Sequence, residues 1–122
     1  GISVLYRKET AIPLISADPT KMRQVLLNLL TNAREAIGTQ GLISCTLSCD
    51  GENVYLTVKD TGSGIPVNYQ KDIFEPFVTY KEGGTGLGLA ICKRIVSAHG
   101  GRISFIAPAG KETAFIVALP IT

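Results

Sequence analysis

One long helical pattern gives way to strand patterns, and this change of period constrains the fold more than any other feature. Residues 18–37 (DPTKMRQVLLNLLTNAREAI) carry apolar side chains at helical spacing. Asp18 is a suitable N-cap, Pro19 fits the first helical position, and Gly38 stands just past the end. A helix with one apolar stripe must bury that stripe against a second layer.

The segments that follow predict a sheet for this second layer. Residues 42–49 and 53–60 alternate apolar and polar side chains, and an Asp50-Gly51 turn joins them. The order of elements predicts an α/β two-layer sandwich, with a mixed, mostly antiparallel sheet and helices on one face, in a single domain over residues 1–122. The remaining predicted elements are strands at 2–7, 12–17, 102–107 and 113–120 and helices at about 67–74 and 87–99.

Composition excludes several classes of protein. Hydrophobic residues make up 45% and charged residues 18%, which is typical of a globular domain and not of a disordered one. The net charge of +2 is scattered, so we expect no nucleic-acid partner and no direct membrane contact. The three cysteines lie inside apolar patterns and no apolar run could span a bilayer. We therefore expect reduced core cysteines in a cytoplasmic domain, whose parent protein could be membrane-anchored.

A polar row runs along the first helix beside its apolar stripe. Asn28, Asn32 and Glu35 return to nearly the same angle because their spacings are four and three residues. The row could face water at the boundary of the core. Alternatively it could form a wall of oxygen ligands, because amide oxygens suit Mg²⁺ that is shared with substrate phosphates.

Two polar side chains share the apolar face of predicted strands. Asp60 has the parity of Val54 and Val58, and an unpaired carboxylate on that face would cost several kcal/mol. Asp60 could instead cap the turn that follows, but Gly62 and Gly64 beside a carboxylate suggest the floor of a pocket. Thr113 shares the parity of the apolar residues of the last strand, so its hydroxyl is also predicted to face inward.

A glycine-rich run stands where the second long helix begins. Gly84, Gly86 and Gly88 alternate into the helix start, and Lys81 stands just before them. A helix N-terminus attracts anions, and glycine lets a ligand approach the backbone, so a phosphate is the first candidate. The run could also be a plain loop. It is neither a Walker A motif nor a good dinucleotide fingerprint, because no Gly-Lys-Ser/Thr occurs and a loop precedes it.

These motifs have an order that resembles one known family. NLLTNAREAI, DTGSGIP, IFEPFVT and GGTGLGLAI are similar to the N, G1, F and G2 boxes of the ATP-binding catalytic domain of sensor histidine kinases. That domain belongs to a larger group with gyrase, the Hsp90 chaperones and the mismatch-repair ATPases. The resemblance runs from Asp18 to the C-terminus and is nearest to nitrogen-regulation and sporulation kinases. It implies a Bergerat-type ATP-binding fold.

The resemblance also implies a role for each matching residue. Asn32 would hold Mg²⁺ and Asn28 would contact the phosphates or the metal, with Lys81 as a third catalytic residue. The Asp60 carboxylate would accept a hydrogen bond from the adenine amino group. The other implied contacts to ATP are Gly62, Gly64, Ile65, Phe74, Lys81, Gly84, Thr85, Gly86, Leu87, Gly88 and Thr113.

A mobile lid over ATP is implied for residues 74–84, with Phe74 and Phe77 as its hydrophobic hinge. Glu35 departs from the pattern, because many histidine kinases carry Lys or Arg there. Basic phosphate contacts would then fall to Lys81 and Arg34.

The implied activity is transfer of the γ-phosphoryl group to a histidine on a separate dimerisation hairpin, with a response regulator as the indirect partner. The one histidine, His99, ends a helix and is assigned a structural role. The ATP-hydrolysing cousins carry a Glu as general base where this chain has Asn28, which suits a kinase. Two alternatives stand: a serine kinase of the anti-sigma-factor type, and a module that binds nucleotide or a helical hairpin without turnover.

Overall fold

The computed structural model describes residues 1–9, 11–79, 86–108 and 112–121. Its strands form one sheet in the order β1-β2-β3-β5-β4, with β1 parallel to β2 and every other neighbouring pair antiparallel. The predicted two-layer α/β sandwich with a mixed, mostly antiparallel sheet is confirmed. The elements are β1 (Ile2–Lys8), α1 (Pro19–Ile37), β2 (Gly41–Cys49), β3 (Asn53–Asp60), α2 (Val67–Gln70), α3 (Gly88–Ala98), β4 (Arg102–Ile106) and β5 (Thr113–Pro120).

Local chemistry sets both ends of α1, as the sequence predicts. The Asp18 carboxylate accepts hydrogen bonds from the backbone N–H groups of Thr20 at 2.9 Å and Lys21 at 3.3 Å, and proline occupies the first turn. Gly38 has φ +84°, and its N–H donates to the Arg34 carbonyl at 3.2 Å. The helix therefore stops where glycine takes up a conformation that other residues avoid.

The core lies between one face of the sheet and the pair of helices α1 and α3. The sheet supplies the inward residues of its middle strands, in the alternation that the sequence predicts. Among the described helices, none is both long and apolar enough to cross a bilayer. The buried residues that form the centre of this core are Val25, Leu29, Ala33, Val58, Cys92, Ile95, Val96, Phe115 and Val117.

Two predicted elements differ clearly from the structure, and the ends of α3, β1, β2 and β4 differ by one residue. Residues 12–17 form no strand, because Pro13 has no N–H to donate and the segment pairs with no strand; Leu14 is 95% exposed. α2 spans only four residues, and the chain beyond it turns instead of continuing as a helix to Phe74. α3 is one residue shorter at each end than predicted, because Leu87 and His99 are its caps.

Candidate functional site

Asp60 and Thr113 lie side by side in the inward face of the sheet. They are direct partners in the β3–β5 register, and they are only 1% and 2% exposed. The Asp60 Oδ1 accepts a hydrogen bond from the Gly62 N–H at 2.8 Å. The Thr113 hydroxyl is buried and has no hydrogen-bond partner among the described residues. An unsatisfied buried hydroxyl costs about 1–3 kcal/mol, so this position is suited to a polar ligand or a water molecule.

The turn after β3 packs against α1 so closely that it needs glycine. A Cβ on Gly62 would stand 2.6 Å from the Ala36 carbonyl oxygen and 2.8 Å from the Asp60 Oδ1. Gly64 is buried with φ +80°, and Ile65 beside it is 1% exposed. The glycine at position 62 is thus already required by the protein's own backbone, whatever ligand approaches it.

Helix α1 forms one wall of the candidate site, above a floor that consists of Asp60 and Thr113. Ala36 contacts the Gly62 turn, and Asn28, eight residues earlier, reaches α3, where its Nδ2 donates to the Gly88 carbonyl at 3.4 Å. Eight residues of α-helix span about 12 Å. Asn32 lies midway and both asparagines are half-buried. The two asparagines of the row therefore lie at the boundary of the core and are not fully solvated, whereas its third member, Glu35, and the neighbouring Arg34 are exposed.

The N-terminus of α3 closes the far end of this wall. A Cβ on Gly86, whose φ is +72°, would stand 2.5–2.7 Å from the Phe77 backbone. A Cβ on Gly88 would meet only the Asn28 side chain, at an ordinary 3.9 Å. Packing within the protein therefore requires glycine at position 86 and does not require it at position 88.

Phe77 and Gly86 also form a backbone pair. The Phe77 N–H donates to the Gly86 carbonyl at 2.9 Å, and Phe77 has φ +68°. A left-handed conformation costs a non-glycine residue about 1–2 kcal/mol. Phe77 and Gly86 are therefore held together, and Lys81, Gly84 and Thr85 between them lie outside the described residues.

The two phenylalanines predicted as one hinge have different surroundings. The Phe74 ring packs on Phe105 and Phe115, with centroids 5.8 and 6.2 Å away. The Phe77 side chain is 75% exposed. A groove of about 590 Å³ lies between this segment and α3, lined in part by Phe74, Phe77, Leu87 and Ile91. Phe74 is thus anchored to the sheet, whereas Phe77 stands in solvent beside the groove.

The described residues contain no group of three or more His, Cys, Asp or Glu side chains that could hold a metal ion. Any cation here would take amide oxygens and ligand oxygens, which suits Mg²⁺. Asn28 uses its Nδ2 on Gly88, so Oδ1 is the atom that it can offer to a cation. The donor set fits Mg²⁺ bound together with phosphates.

Helices α1 and α3 are joined at two further points. The Cys92 Sγ lies 3.7 Å from the Val25 carbonyl, and burial raises the pKa of this thiol to about 11. The His99 Nδ1 lies 2.8 Å from the Ile95 carbonyl, and its Nε2 accepts the Asp18 N–H at 3.1 Å. His99 is thus held inside the fold with both ring nitrogens engaged.

Gln70 gave no signal in the sequence. Its Nε2 donates to the carbonyl oxygens of Ile65 at 2.9 Å and Ala107 at 2.7 Å. A lone glutamine in a short polar segment is ordinary, and only the three-dimensional contacts single it out.

Comparison with known proteins places this geometry in a family. Residues 17–122 match the family described as "Histidine kinase-, DNA gyrase B-, and HSP90-like ATPase". The sensor histidine kinase ZraS of Escherichia coli (strain K12) is 43% identical over 120 residues, which cover 98% of this chain and 26% of ZraS. Sporulation kinase C of Bacillus subtilis (strain 168) is 38% identical over 114 residues, covering 93% of this chain and 27% of that kinase. The chain thus spans about a quarter of the length of these curated relatives.

Solved structures have the same fold. The nucleotide-free catalytic domain of histidine kinase ThkA superposes with a TM-score of 0.86 at 36% identity, covering 98% of this chain and 80% of that one. Full-length ShkA in complex with AMPPNP superposes with a TM-score of 0.88 at 35% identity, covering 100% of this chain and 26% of that one. ThkA in complex with the response regulator TrrA superposes with a TM-score of 0.82 at 33% identity, covering 99% of this chain and 34% of that one. The chain belongs to the histidine kinase-, DNA gyrase B- and HSP90-like ATPase family, and its relatives in it are sensor histidine kinases.

Proposed function

We propose that this domain binds Mg²⁺-ATP and delivers the γ-phosphoryl group to a histidine on the dimerisation hairpin of its parent kinase. One observation carries the proposal: the buried Thr113 hydroxyl lies without a partner among the described residues, next to the Asp60 carboxylate. The Thr113 hydroxyl can donate or accept a hydrogen bond, and the Asp60 carboxylate is a strong acceptor. Both lie in an apolar setting, which suits the edge of adenine. The AMPPNP complex of ShkA supports ATP as the nucleotide.

The length of the cleft supports a nucleoside triphosphate. The Ala36-to-Asn28 stretch of α1 runs about 12 Å from the Asp60 floor to the start of α3. Adenine would lie at the floor, and the phosphates would reach Asn32, Asn28 and the Gly88 N-terminus, where helix N–H groups favour anions. Bound Mg²⁺ would neutralise phosphate charge and polarise the γ-phosphoryl group. Asn32 and Asn28 would hold it, and Lys81 would add a positive charge.

The residues of the chain would act by positioning and not by activating water. Asn28 occupies the place next to the phosphates and cannot serve as a general base. We therefore expect slow hydrolysis and no phosphorylation of the domain itself, with transfer only when a hairpin histidine is presented. A response regulator would then take the phosphoryl group from that histidine, in a parent protein that acts in the cytoplasm. The ThkA–TrrA complex supports that partner.

The adenine pocket can be tested by calorimetric titration of AMPPNP with Mg²⁺. We expect Asp60→Asn and Thr113→Val each to weaken binding about tenfold or more, because each removes a hydrogen bond to the base. Asp72→Asn, which changes an exposed carboxylate, should bind like the wild type. Unchanged affinity in both pocket variants would refute the assignment of the base to this floor.

Thr113→Val also separates a binding role from a structural one. The substitution replaces an unsatisfied buried hydroxyl by a methyl group of similar size, so the free energy of unfolding should rise or stay equal. Thr57→Val on the other face of β3 is the matched control. A variant that is more stable yet binds AMPPNP worse would assign the hydroxyl to the ligand.

Transfer distinguishes the kinase from the alternatives. Incubation with labelled ATP and the parent's dimerisation hairpin should give an acid-labile phosphohistidine on the hairpin. An acid-stable phosphoserine on an added protein would favour a serine kinase instead. Nucleotide binding without any transfer would leave a binding module.

A further inference from the structure

Gln70 joins two segments of the chain that no strand pairing connects. Its amide nitrogen lies 2.9 Å from the Ile65 carbonyl oxygen and 2.7 Å from the Ala107 carbonyl oxygen. Both partners are carbonyls, which only accept, so the atom between them must be the nitrogen and not the amide oxygen. An NH₂ group has two protons, and both are used here. The side chain is therefore a double donor that holds two backbone segments together.

The two carbonyls belong to segments next to Asp60 and Thr113, and their oxygens lie close together because both contact the same nitrogen. Ile65 follows the glycine turn that leaves Asp60, and it is 1% exposed. Ala107 follows the last residue of β4, and the β4–β5 register pairs Ile106 with Ala114. One step further along the antiparallel pair, Ala107 is level with Thr113. Gln70 thus ties the turn that follows Asp60 to the strand end that is level with Thr113.

The turn that carries Ile65 lies outside the regular secondary structure. The strand ladder of β3 ends at Asp60, and α2 starts at Val67, after Pro66, which caps it without a side-chain hydrogen bond. Gly64, with φ +80°, allows conformations that other residues avoid. The Ile65 side chain is packed in the core, and the bond from Gln70 adds a polar tie from its backbone carbonyl to the end of β4.

We propose that Gln70 is a positioning residue of the adenine pocket, which sets the distance between the Ile65 turn and the end of β4 without touching the nucleotide. The inference rests on the proposed function, because it assigns the floor at Asp60 and Thr113 to the base. The position of the Ile65 turn against the end of β4 would determine how tightly the purine binds and how well the site discriminates adenine from guanine. It has no direct effect on the phosphate end, about 12 Å away along α1.

The test compares Gln70→Glu with the wild type. Glutamate has the same size, but it cannot donate when ionised and would place a charge against two carbonyl oxygens. Asn68→Asp is the matched control, since it puts the same charge on an exposed position of α2. Titration calorimetry with ADP, AMPPNP and GMPPNP, each with Mg²⁺, gives three dissociation constants for each variant, and thermal unfolding monitors the fold.

We expect Gln70→Glu to weaken ADP and AMPPNP by the same factor, about tenfold or more, because both carry the same base. The preference of Gln70→Glu for AMPPNP over GMPPNP should be smaller than that of the wild type. Asn68→Asp should change neither the affinities nor this preference. Equal affinities for wild type and Gln70→Glu would overturn the proposal, as would a loss confined to AMPPNP. A folded wild type that binds neither ADP nor AMPPNP would instead refute the proposed function itself.

Gln70→Met and NMR cover the case in which the glutamate variant does not fold. Methionine keeps the length of the side chain without the repelling charge, and it should show the same parallel loss for ADP and AMPPNP. In the ¹⁵N-labelled wild type, the Gln70 side-chain NH₂ resonances should be protected from exchange and should shift when ADP binds. Resonances that exchange freely or ignore ADP would contradict the proposal even if both variants are unfolded.

Discussion

Gly88 and Gly86 stand two residues apart, yet the structure gives glycine a different reason at each position. A Cβ at position 88 has room, whereas one at position 86 would collide with the Phe77 backbone. Glycine in the interior of a helix costs about 0.5–1 kcal/mol relative to alanine, and Gly88, as the first residue of α3, bears up to that cost. Packing therefore does not explain why the chain has glycine and not alanine at position 88, whereas the approach of a ligand to the backbone would.

We predict that Gly88→Ala raises the free energy of unfolding by about 0.5–1 kcal/mol while weakening AMPPNP binding. The added methyl group stabilises α3 but obstructs the approach of phosphates to its N-terminus. Urea unfolding and calorimetric titration measure the two effects. Gly86→Ala is the contrasting variant and should lose stability, because its φ of +72° suits glycine alone. An AMPPNP affinity that is unchanged in Gly88→Ala would exclude close phosphate contact there.

At the scale of elements, α1 carries the asparagine row of the candidate site and packs against α3. The Asn28 amide meets the start of α3, Cys92 packs on the Val25 carbonyl in its middle, and His99 accepts the Asp18 N–H at its end. The Asn28 end of the asparagine row therefore depends on the helix pair. A substitution that weakens the packing of α3 on α1 should therefore displace Asn28, at the proposed phosphate end of the site, before it affects the Asp60–Thr113 pair.

The pH dependence of stability reports on this helix pair. Burial raises the pKa of the Cys92 thiol from its ordinary 9.0 to about 11. The folded state therefore holds this proton more tightly than the unfolded state. The stability that the protonated thiol contributes is fully present below about pH 9 and is lost as the pH rises towards 11. Between pH 8.5 and 10.5 the free energy of unfolding should fall more steeply in the wild type than in Cys92→Ala. Equal slopes would show that Cys92 ionises freely in the folded state.

Whole-molecule organisation leaves one edge of the sheet apolar and open. β1 is the edge strand, and its Val4, Leu5 and Tyr6 side chains are 62%, 57% and 61% exposed. A flat apolar edge favours pairing between copies. The isolated domain is therefore expected to associate with itself as its concentration rises.

Leu5→Lys should reduce that association. Leu5 lies opposite Ser44 on the face away from the helices, so a lysine there charges the edge without entering the core. Sedimentation velocity over a concentration series should show smaller fractions of dimer and of higher oligomers than in the wild type. The affinity for AMPPNP should be unchanged. Leu14→Lys changes a 95% exposed leucine outside the sheet and should have no effect. Equal association in both variants would move the contact away from β1.

The sequence predicts those parts of the fold that depend on neighbours along the chain. Strand parity placed Asp60 and Thr113 inward, and both are buried in the structure. Capping chemistry placed the ends of α1 correctly. The roles in ATP and Mg²⁺ binding rest on the family resemblance and stay predictions.

The remaining features depend on contacts between distant residues. Residues 12–17 have strand-like composition but no strand to pair with. Phe74 and Phe77 share a motif, yet one packs on the sheet and the other is exposed, because only Phe74 faces Phe105 and Phe115. No local pattern separates such cases, because a residue's partners across the fold decide them.

The bond between the Phe77 N–H and the Gly86 carbonyl has a consequence for loop-closure entropy. Bringing together the ends of a loop of about ten residues costs about 2 kcal/mol, and here that cost falls on folding and not on the capture of a ligand. Doubling the loop would add only about 0.6 kcal/mol. The ends of this segment are thus brought together at Phe77 and Gly86 by the fold itself, so a nucleotide that binds here does not have to supply that closure.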